Sequence, residues 1–326
     1  PFGVSLHADH AWTWYEPAQR YDRQGPKTGV PYDGTLTAAD GKGKWWDGLD
    51  PQKLYAQNHP LTRASWADGT IHSQWAWGNG ATPPSEEFCT NFYNRTLDVV
   101  NRYKPDLLYF DVTGVPFYPV SDAGLKIAAH FYNSNMALNG GDLRAVMFGK
   151  ILTEEQKKAL VWDVERGAPN NIVPDPWQSC SCIGGWHYDT SIYENNAYKS
   201  APTVIKLLAD IVSKNGNLLL SIPLRADGTF DEKEEAVLHG IGKWMGINSE
   251  AIFSTRPWQV FGEGPVAEAD IAIKAQGFNE GEYARMGSRE IRFTQTPKHI
   301  YAIVLDWPED NKVLIKSLAA GSPNVK

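Results

Sequence analysis

The sequence predicts an α/β chain: the later part of a (β/α)8 barrel of the TIM type, its first strands missing from this chain, then part of an antiparallel β-sandwich. Three observations predict it. Five short apolar runs lack polar alternation, which suits strands buried on both faces of a parallel sheet. Helical patterns lie between them, giving the strand–helix alternation of βα units. Beyond Pro257 the pattern changes to short β-rich runs separated by turns. The expected division is residues 1–257 for the later barrel and 258–326 for an incomplete β-sandwich domain. A complete barrel of this kind takes about 250 residues. A doubly wound open sheet is the competing arrangement, but the chain has no glycine-rich phosphate turn to support it.

The strands expected in order are residues 3–7, 107–112, 144–148, 160–164 and 217–222. The helix over 85–103 opens on Ser85 and paired Glu, a capping signature, and sets Phe92, Thr96, Val99 and Tyr103 on one face. A second pattern over 124–138 repeats Leu125, Ala128, Ala129, Tyr132 and Met136. A third over 203–212 runs Val204, Leu207, Leu208, Ile211. A fourth over 232–245 carries Val237, Leu238, Ile241 and Met245, with Gly246 placed to end it. In the β-rich tail, 290–294 and 300–305 flank a turn at Thr296-Pro297-Lys298, and Val313-Leu314-Ile315 follows as a further strand. The stretch 16–48 has no periodicity and is too long for an ordinary connection, so it reads as a functional loop. Its Asp40-Gly41-Lys42-Gly43-Lys44 lacks the carboxylate ladder of a cation loop.

Composition narrows the function. The 326 residues carry a net charge of −7, and there is no cluster of Lys and Arg for phosphate contacts, which argues against a nucleic-acid partner. No apolar run approaches the roughly 20 residues of a membrane span. Of the three cysteines, Cys180 and Cys182 are too close for an unstrained disulfide or a zinc knuckle. The informative excess is aromatic. Thirteen Trp and fourteen Tyr stand among Asn, Asp and His in loop-like contexts, and flat aromatic faces beside hydrogen-bonding groups suit sugar rings. Large aromatics filling a large core is the competing explanation.

In a parallel barrel the carboxyl ends of strands face the active site. Asp111 falls where Leu107-Leu108-Tyr109-Phe110 gives way to Gly114, so its carboxylate is placed to meet a ligand; capping of the turn is the structural alternative. Two further strand ends add acids, at Thr153-Glu154-Glu155-Gln156 and at Trp162-Asp163-Val164-Glu165. Retaining glycoside hydrolysis needs two carboxyls about 5–5.5 Å apart, and neighbouring strands can present such a pair. Glu154 and Glu155 equally fit the solvated first turn of a helix opened by Thr153. His7, His10, Trp12 and Trp14 cluster after the first strand and read as sugar contacts rather than metal ligands. Serine-hydrolase, zinc-protease and phosphate-loop motifs are absent.

An ordered set of segments resembles the α-L-fucosidases of glycoside hydrolase family 29. It includes Phe2-Gly3-Val4-Ser5-Leu6-His7, Pro105-Asp106-Leu107-Leu108-Tyr109-Phe110-Asp111, Thr153-Glu154-Glu155-Gln156 and Val161-Trp162-Asp163-Val164-Glu165-Arg166-Gly167. Gly184-Gly185-Trp186-His187-Tyr188 comes next, then the most specific stretch, Leu207 through Ile222, with Asp227-Gly228-Thr229 and Ile241-Gly242-Lys243-Trp244 after it. The resemblance covers most of residues 1–258. It implies a retaining exo-α-L-fucosidase in which Asp111 attacks terminal α-L-fucose to form a covalent glycosyl-enzyme.

Matching Thr-Pro-Glu-Gln selects Glu155 as acid/base, with Glu154 and Glu165 as alternatives. That acid belongs in drier surroundings than Asp111. His7, His10, Trp12, Tyr109, Arg144 and Trp186 are the implied sugar contacts. No metal or cofactor is implied, the partner is a fucosylated oligosaccharide or glycoconjugate, and the family suggests a periplasmic or secreted setting. The family's early His-His motif has no counterpart here, and Phe110-Asp111-Val112-Thr113 departs from the commonest nucleophile segment. An enzyme for another sugar such as an α-L-galactoside, and a non-catalytic carbohydrate-binding protein, are the rival readings.

Overall fold

The structure is a computed structural model that describes residues 1–7, 24–26, 28–29, 36–51, 83–269 and 277–321. Residues 16–23, 27 and 30–35 of the loop expected over 16–48 therefore lie outside the described residues. The chain divides into two compact units, Pro1–Leu160 and Val161–Lys326.

In the first unit, β1 (Gly3–Leu6), α1 (Glu86–Tyr103), β2 (Leu107–Thr113), α2 (Ala123–Leu138) and β3 (Val146–Lys150) follow one another. β1 and β3 flank β2, both parallel to it. Helix α1 starts where the sequence places it. The Ser85 hydroxyl accepts the Phe88 N–H at 3.1 Å, and Glu86 and Glu87 occupy the dipole's positive end. It stops at Lys104, in the left-handed region at φ 47°, just before Pro105. Leu108, Phe110 and Met147 are fully buried. Phe92 of α1 meets Phe110 at a ring-centroid distance of 6.1 Å. Side chains alternate along a strand, so Leu107, Tyr109 and Asp111 point to the opposite face from this aromatic core. β3 runs two residues later than expected and ends at Lys150 rather than Phe148.

In the second unit, β4 (Val161–Glu165), β5 (Trp177–Cys182), α3 (Thr190–Glu194), α4 (Ala201–Ser213), β6 (Gly216–Ser221) and α5 (Glu232–Asn248) precede β7 (Arg256–Glu263), β8 (Ile291–Gln295) and β9 (Ile300–Val304). β4, β5 and β6 pair in parallel; β7, β8 and β9 form an antiparallel sheet. β5 and β7 are strands absent from the sequence reading. Val313-Leu314-Ile315 is not a strand; it leads into a short 3-10 turn over Lys316–Leu318. Gly246 does not end α5, which continues to Asn248.

Trp177 anchors the core of this unit. Its indole N–H donates to the Lys214 carbonyl at 2.9 Å, and its ring packs with Leu207 and Ile211 of α4. Gly216 is needed at the crossing, since a Cβ there would lie 2.5 Å from the Trp177 ring. Beside this core lies a buried charge cluster. Asp210 accepts from Arg292 at 2.5 Å, Lys214 at 2.8 Å and the Tyr283 hydroxyl at 2.9 Å. Glu290 pairs with Arg292 at 3.1 Å, and the Phe261 ring faces both cations. Among the described residues, no helix is long and apolar enough to cross a membrane.

Candidate active site

Asp111 stands at a defect in the ladder. Phe110 pairs with Gly149, but the next paired position is Thr113 with Lys150, so Asp111 and Val112 form a bulge in β2. Bulges of this kind bend a strand and re-aim side chains. Gly114 closes the bulge at φ 74°, and its N–H donates to the Lys150 carbonyl at 2.6 Å.

Among the described residues, three side chains converge on the carboxylate, one from each strand of this unit or its end. His7, just beyond β1, meets Oδ2 through Nε2 at 2.5 Å. The Lys150 ammonium, at the end of β3, is ion-paired with Oδ1. The Tyr109 hydroxyl donates to Oδ1 at 3.3 Å, a long bond. The Lys150 side chain is only 6% exposed, whereas Asp111 keeps 27% of its side-chain surface. Burial pushes the Asp111 carboxyl up. The His7 hydrogen bond and the Lys150 charge outweigh it and hold the group well below the usual carboxylate range. Asp111 is therefore an ionised, half-buried carboxylate with an open approach.

Of the sugar contacts expected from the sequence, His7 and Tyr109 are brought to Asp111. His10 and Trp12 lie outside the described residues. Arg144 lies before β3 begins, at the strand's amino end, where its exposed side chain pairs with Asp142 at 3.2 Å. The cation that reaches Asp111 is Lys150, six residues further on. A strand read two residues early hides that assignment; the signal was a lysine closing the run Val146-Met147-Phe148-Gly149. Trp186 is exposed in the second unit.

The Thr-Glu-Glu-Gln segment forms a reciprocal cap. The Thr153 N–H donates to Gln156 Oε1 at 3.0 Å, and the Gln156 N–H to Thr153 Oγ1 at 3.3 Å. That geometry turns both intervening acids outward. Glu154 is 86% exposed and paired with Lys157; Glu155 is 81% exposed and paired with Lys158. Neither is in dry surroundings in this structure.

Glu165, in the second unit, ends β4 half-buried, on the same face as Asp163. The following turn is tightly held. The Glu165 carbonyl accepts the Phe278 N–H at 2.9 Å, and the Arg166 carbonyl accepts the Glu280 N–H at 3.0 Å. Glu280 binds the Arg166 guanidinium and the Ser181 hydroxyl, each at 2.6 Å, with Lys199 at 3.1 Å. Burial raises the Glu280 carboxyl; the Ser181 bond and the Lys199 charge more than reverse that, so it lies low. Among the described residues, no group of three His, Cys, Asp or Glu could hold a metal ion.

A β/α scaffold that holds an ionised carboxylate, open to solvent, at the carboxyl end of a parallel strand defines a class able to act by carboxylate nucleophile. Residues 50–250 match the family model described as alpha-L-fucosidase, and the chain belongs to that family, glycoside hydrolase family 29. It is 27% identical over 157 residues to an alpha-L-fucosidase of Branchiostoma floridae, covering 46% of this chain and 29% of the relative. It is 24% identical over 236 residues to the tissue alpha-L-fucosidase of Rattus norvegicus, covering 68% of this chain and 42% of the relative. A solved alpha-L-fucosidase structure shares the fold, with TM-score 0.50 and 23% identity over 69% of this chain and 44% of its own. The chain thus spans less than half the length of these relatives.

Proposed function

We propose that the protein is a retaining exo-α-L-fucosidase, removing terminal α-L-fucose from oligosaccharides or glycoconjugates in a periplasmic or secreted setting. The observation that carries this is Asp111, ionised between His7 and Lys150 in a chain of fucosidase ancestry. Its parallel strands are read as the later part of a (β/α)8 barrel, and β7–β9 as part of a β-sandwich. Asp111 attacks the anomeric carbon, the leaving oxygen takes a proton from a second carboxyl, and water then hydrolyses the glycosyl ester.

Glu155 is the acid/base on this reading, with Glu154 and Glu165 as the other candidates. The Glu155–Lys158 pair is a surface contact of little stability. A bound glycan can therefore release Glu155 and dry it, and catalytic contacts often tighten only in the complex. The contacts of His7 and Tyr109 with Asp111 support them as sugar contacts; His10, Trp12, Arg144 and Trp186 rest on the resemblance alone.

The test is nitrophenol release from p-nitrophenyl α-L-fucoside by the full-length protein and by Asp111→Gly, with and without azide. Loss of activity in the variant, restored by azide, is the expected result. A parent that turns over the α-L-galactoside faster, or that binds fucose with no turnover, would replace this reading with one of its rivals.

A further inference from the structure

We propose that Lys150 is a positioning residue for the second half of the reaction: its buried charge draws the Asp111 carboxylate off the sugar and keeps the covalent intermediate short-lived. The inference rests on the fucosidase reading and concerns a residue that the sequence reading did not include.

Lys150 is the most deeply buried cation at Asp111, and its ammonium lies against Oδ1, while His7 takes Oδ2. The carboxylate oxygens thus face different partners. Lys150 is held in place by the backbone as well, since the Gly114 N–H donates to its carbonyl across the β2 bulge. A buried ammonium is stabilised by the carboxylate it faces, and loses that stabilisation when the carboxylate charge disappears.

In the first step an Asp111 oxygen forms the bond to the anomeric carbon, the glycosidic bond breaks, and its electron pair leaves on the oxygen protonated by the acid. Asp111 becomes a neutral ester. The ammonium remains in a site from which most water is excluded, now facing no charge from Asp111. In the second step water bonds to the anomeric carbon and gives its proton to the acid/base carboxylate. The ester C–O bond breaks, and its electron pair returns to Asp111, restoring the anion beside Lys150. The charge therefore opposes ester formation and favours ester breakdown. A purely structural lysine would affect both steps alike.

Burst kinetics separate the two cases, using the full-length protein, p-nitrophenyl α-L-fucoside, and the variants Lys150→Met, Lys150→Gln and Lys150→Arg. For Lys150→Met we expect kcat to fall about tenfold to a hundredfold with KM falling at least as much, so that kcat/KM holds level or rises. A burst of nitrophenol stoichiometric with enzyme appears, and the intact mass gains one dehydrated fucose. Lys150→Gln does the same, and serves if the Met variant does not fold. Lys150→Arg keeps the charge and shows no burst. Equal losses in kcat and kcat/KM without a burst, or a burst in Lys150→Arg, would overturn the inference while leaving the fucosidase reading intact. No turnover by the parent would overturn both.

Discussion

Each unit of the chain contains an aspartate held below its ordinary range by cations, and the two differ in exposure. Asp210 is sealed: Arg292 and Lys214 surround it, Tyr283 adds a hydroxyl, and Asp210 and Arg292 are almost fully buried. Burial would raise its carboxyl, but the charges of Lys214 and Arg292 outweigh that and keep it ionised. Asp111 has a similar partner set, but Lys150 alone is deeply buried, and a quarter of the carboxylate side chain faces solvent. A sealed charge can only hold structure. An accessible one, equally well held, can react. Electrostatic depression of a carboxyl does not by itself mark a catalytic group; access distinguishes the two.

The largest expected difference comes from removing each carboxylate. Asp111→Gly should lower kcat/KM on p-nitrophenyl α-L-fucoside by about 10⁴-fold or more. It also leaves the buried Lys150 ammonium without that carboxylate, so its unfolding midpoint in urea should fall, but by less than that of Asp210→Ala. Asp210→Ala should have its main effect on stability. It leaves Arg292 and Lys214 buried with less countercharge, a loss of about 3–5 kcal/mol, with the remaining folded molecules still active. Urea titrations and rates on the same preparations check both. A stable Asp210→Ala protein without activity would make Asp210 the functional group and dissolve the contrast.

The pH dependence of stability gives a smaller effect. The folded-state pKa of Asp210 is lowered, as is that of Glu280, so each contributes stability that is present above its unfolded value, near 4. That stability is lost as pH falls through the lower folded value. Melting temperature should decline from pH 5 to pH 3, with each group contributing at most about 1.4 kcal/mol per pH unit. Asp210→Asn should flatten the decline. An unchanged slope in that variant would show that other carboxyls dominate acid unfolding.

How much of this was readable beforehand differs between the same two regions. β2 was legible because Leu107, Leu108 and Phe110 form an apolar run closed by Asp111 and Gly114, and periodicity needs no knowledge of neighbours. β5 was not. Trp-Gln-Ser-Cys-Ser-Cys looks polar, yet all six residues are buried. Its polarity is satisfied by distant groups: Ser179 donates to the Gly167 carbonyl, Ser181 to Glu280, and Gln178 and Cys180 to Asp163. Lys150 was missed for a related reason. A two-residue error in a strand end leaves its apolar run intact but changes which side chain arrives at the carboxyl end. The fold therefore follows from local patterns, whereas the charge partners depend on register.

The smallest expected effects come from the two tyrosines, a matched pair. Tyr283 is fully buried, and burial together with the Asp210 charge raises its hydroxyl well above the usual range, so it stays a donor at 2.9 Å. Tyr109 is half-buried and donates to Asp111 over a longer 3.3 Å. Tyr283→Phe removes a donor from a sealed carboxylate, which should cost about 1–3 kcal/mol of stability and leave KM unchanged. Tyr109→Phe removes a weaker bond from an accessible one. Stability should change by less than about 1 kcal/mol, and kcat/KM should fall by no more than about tenfold. If Tyr109→Phe instead costs several hundredfold in kcat/KM, the hydroxyl binds the sugar in the transition state rather than steadying Asp111 in the free enzyme. The accessible carboxylate would then be held by His7 and Lys150 alone, and its difference from Asp210 would be larger than the free structure implies.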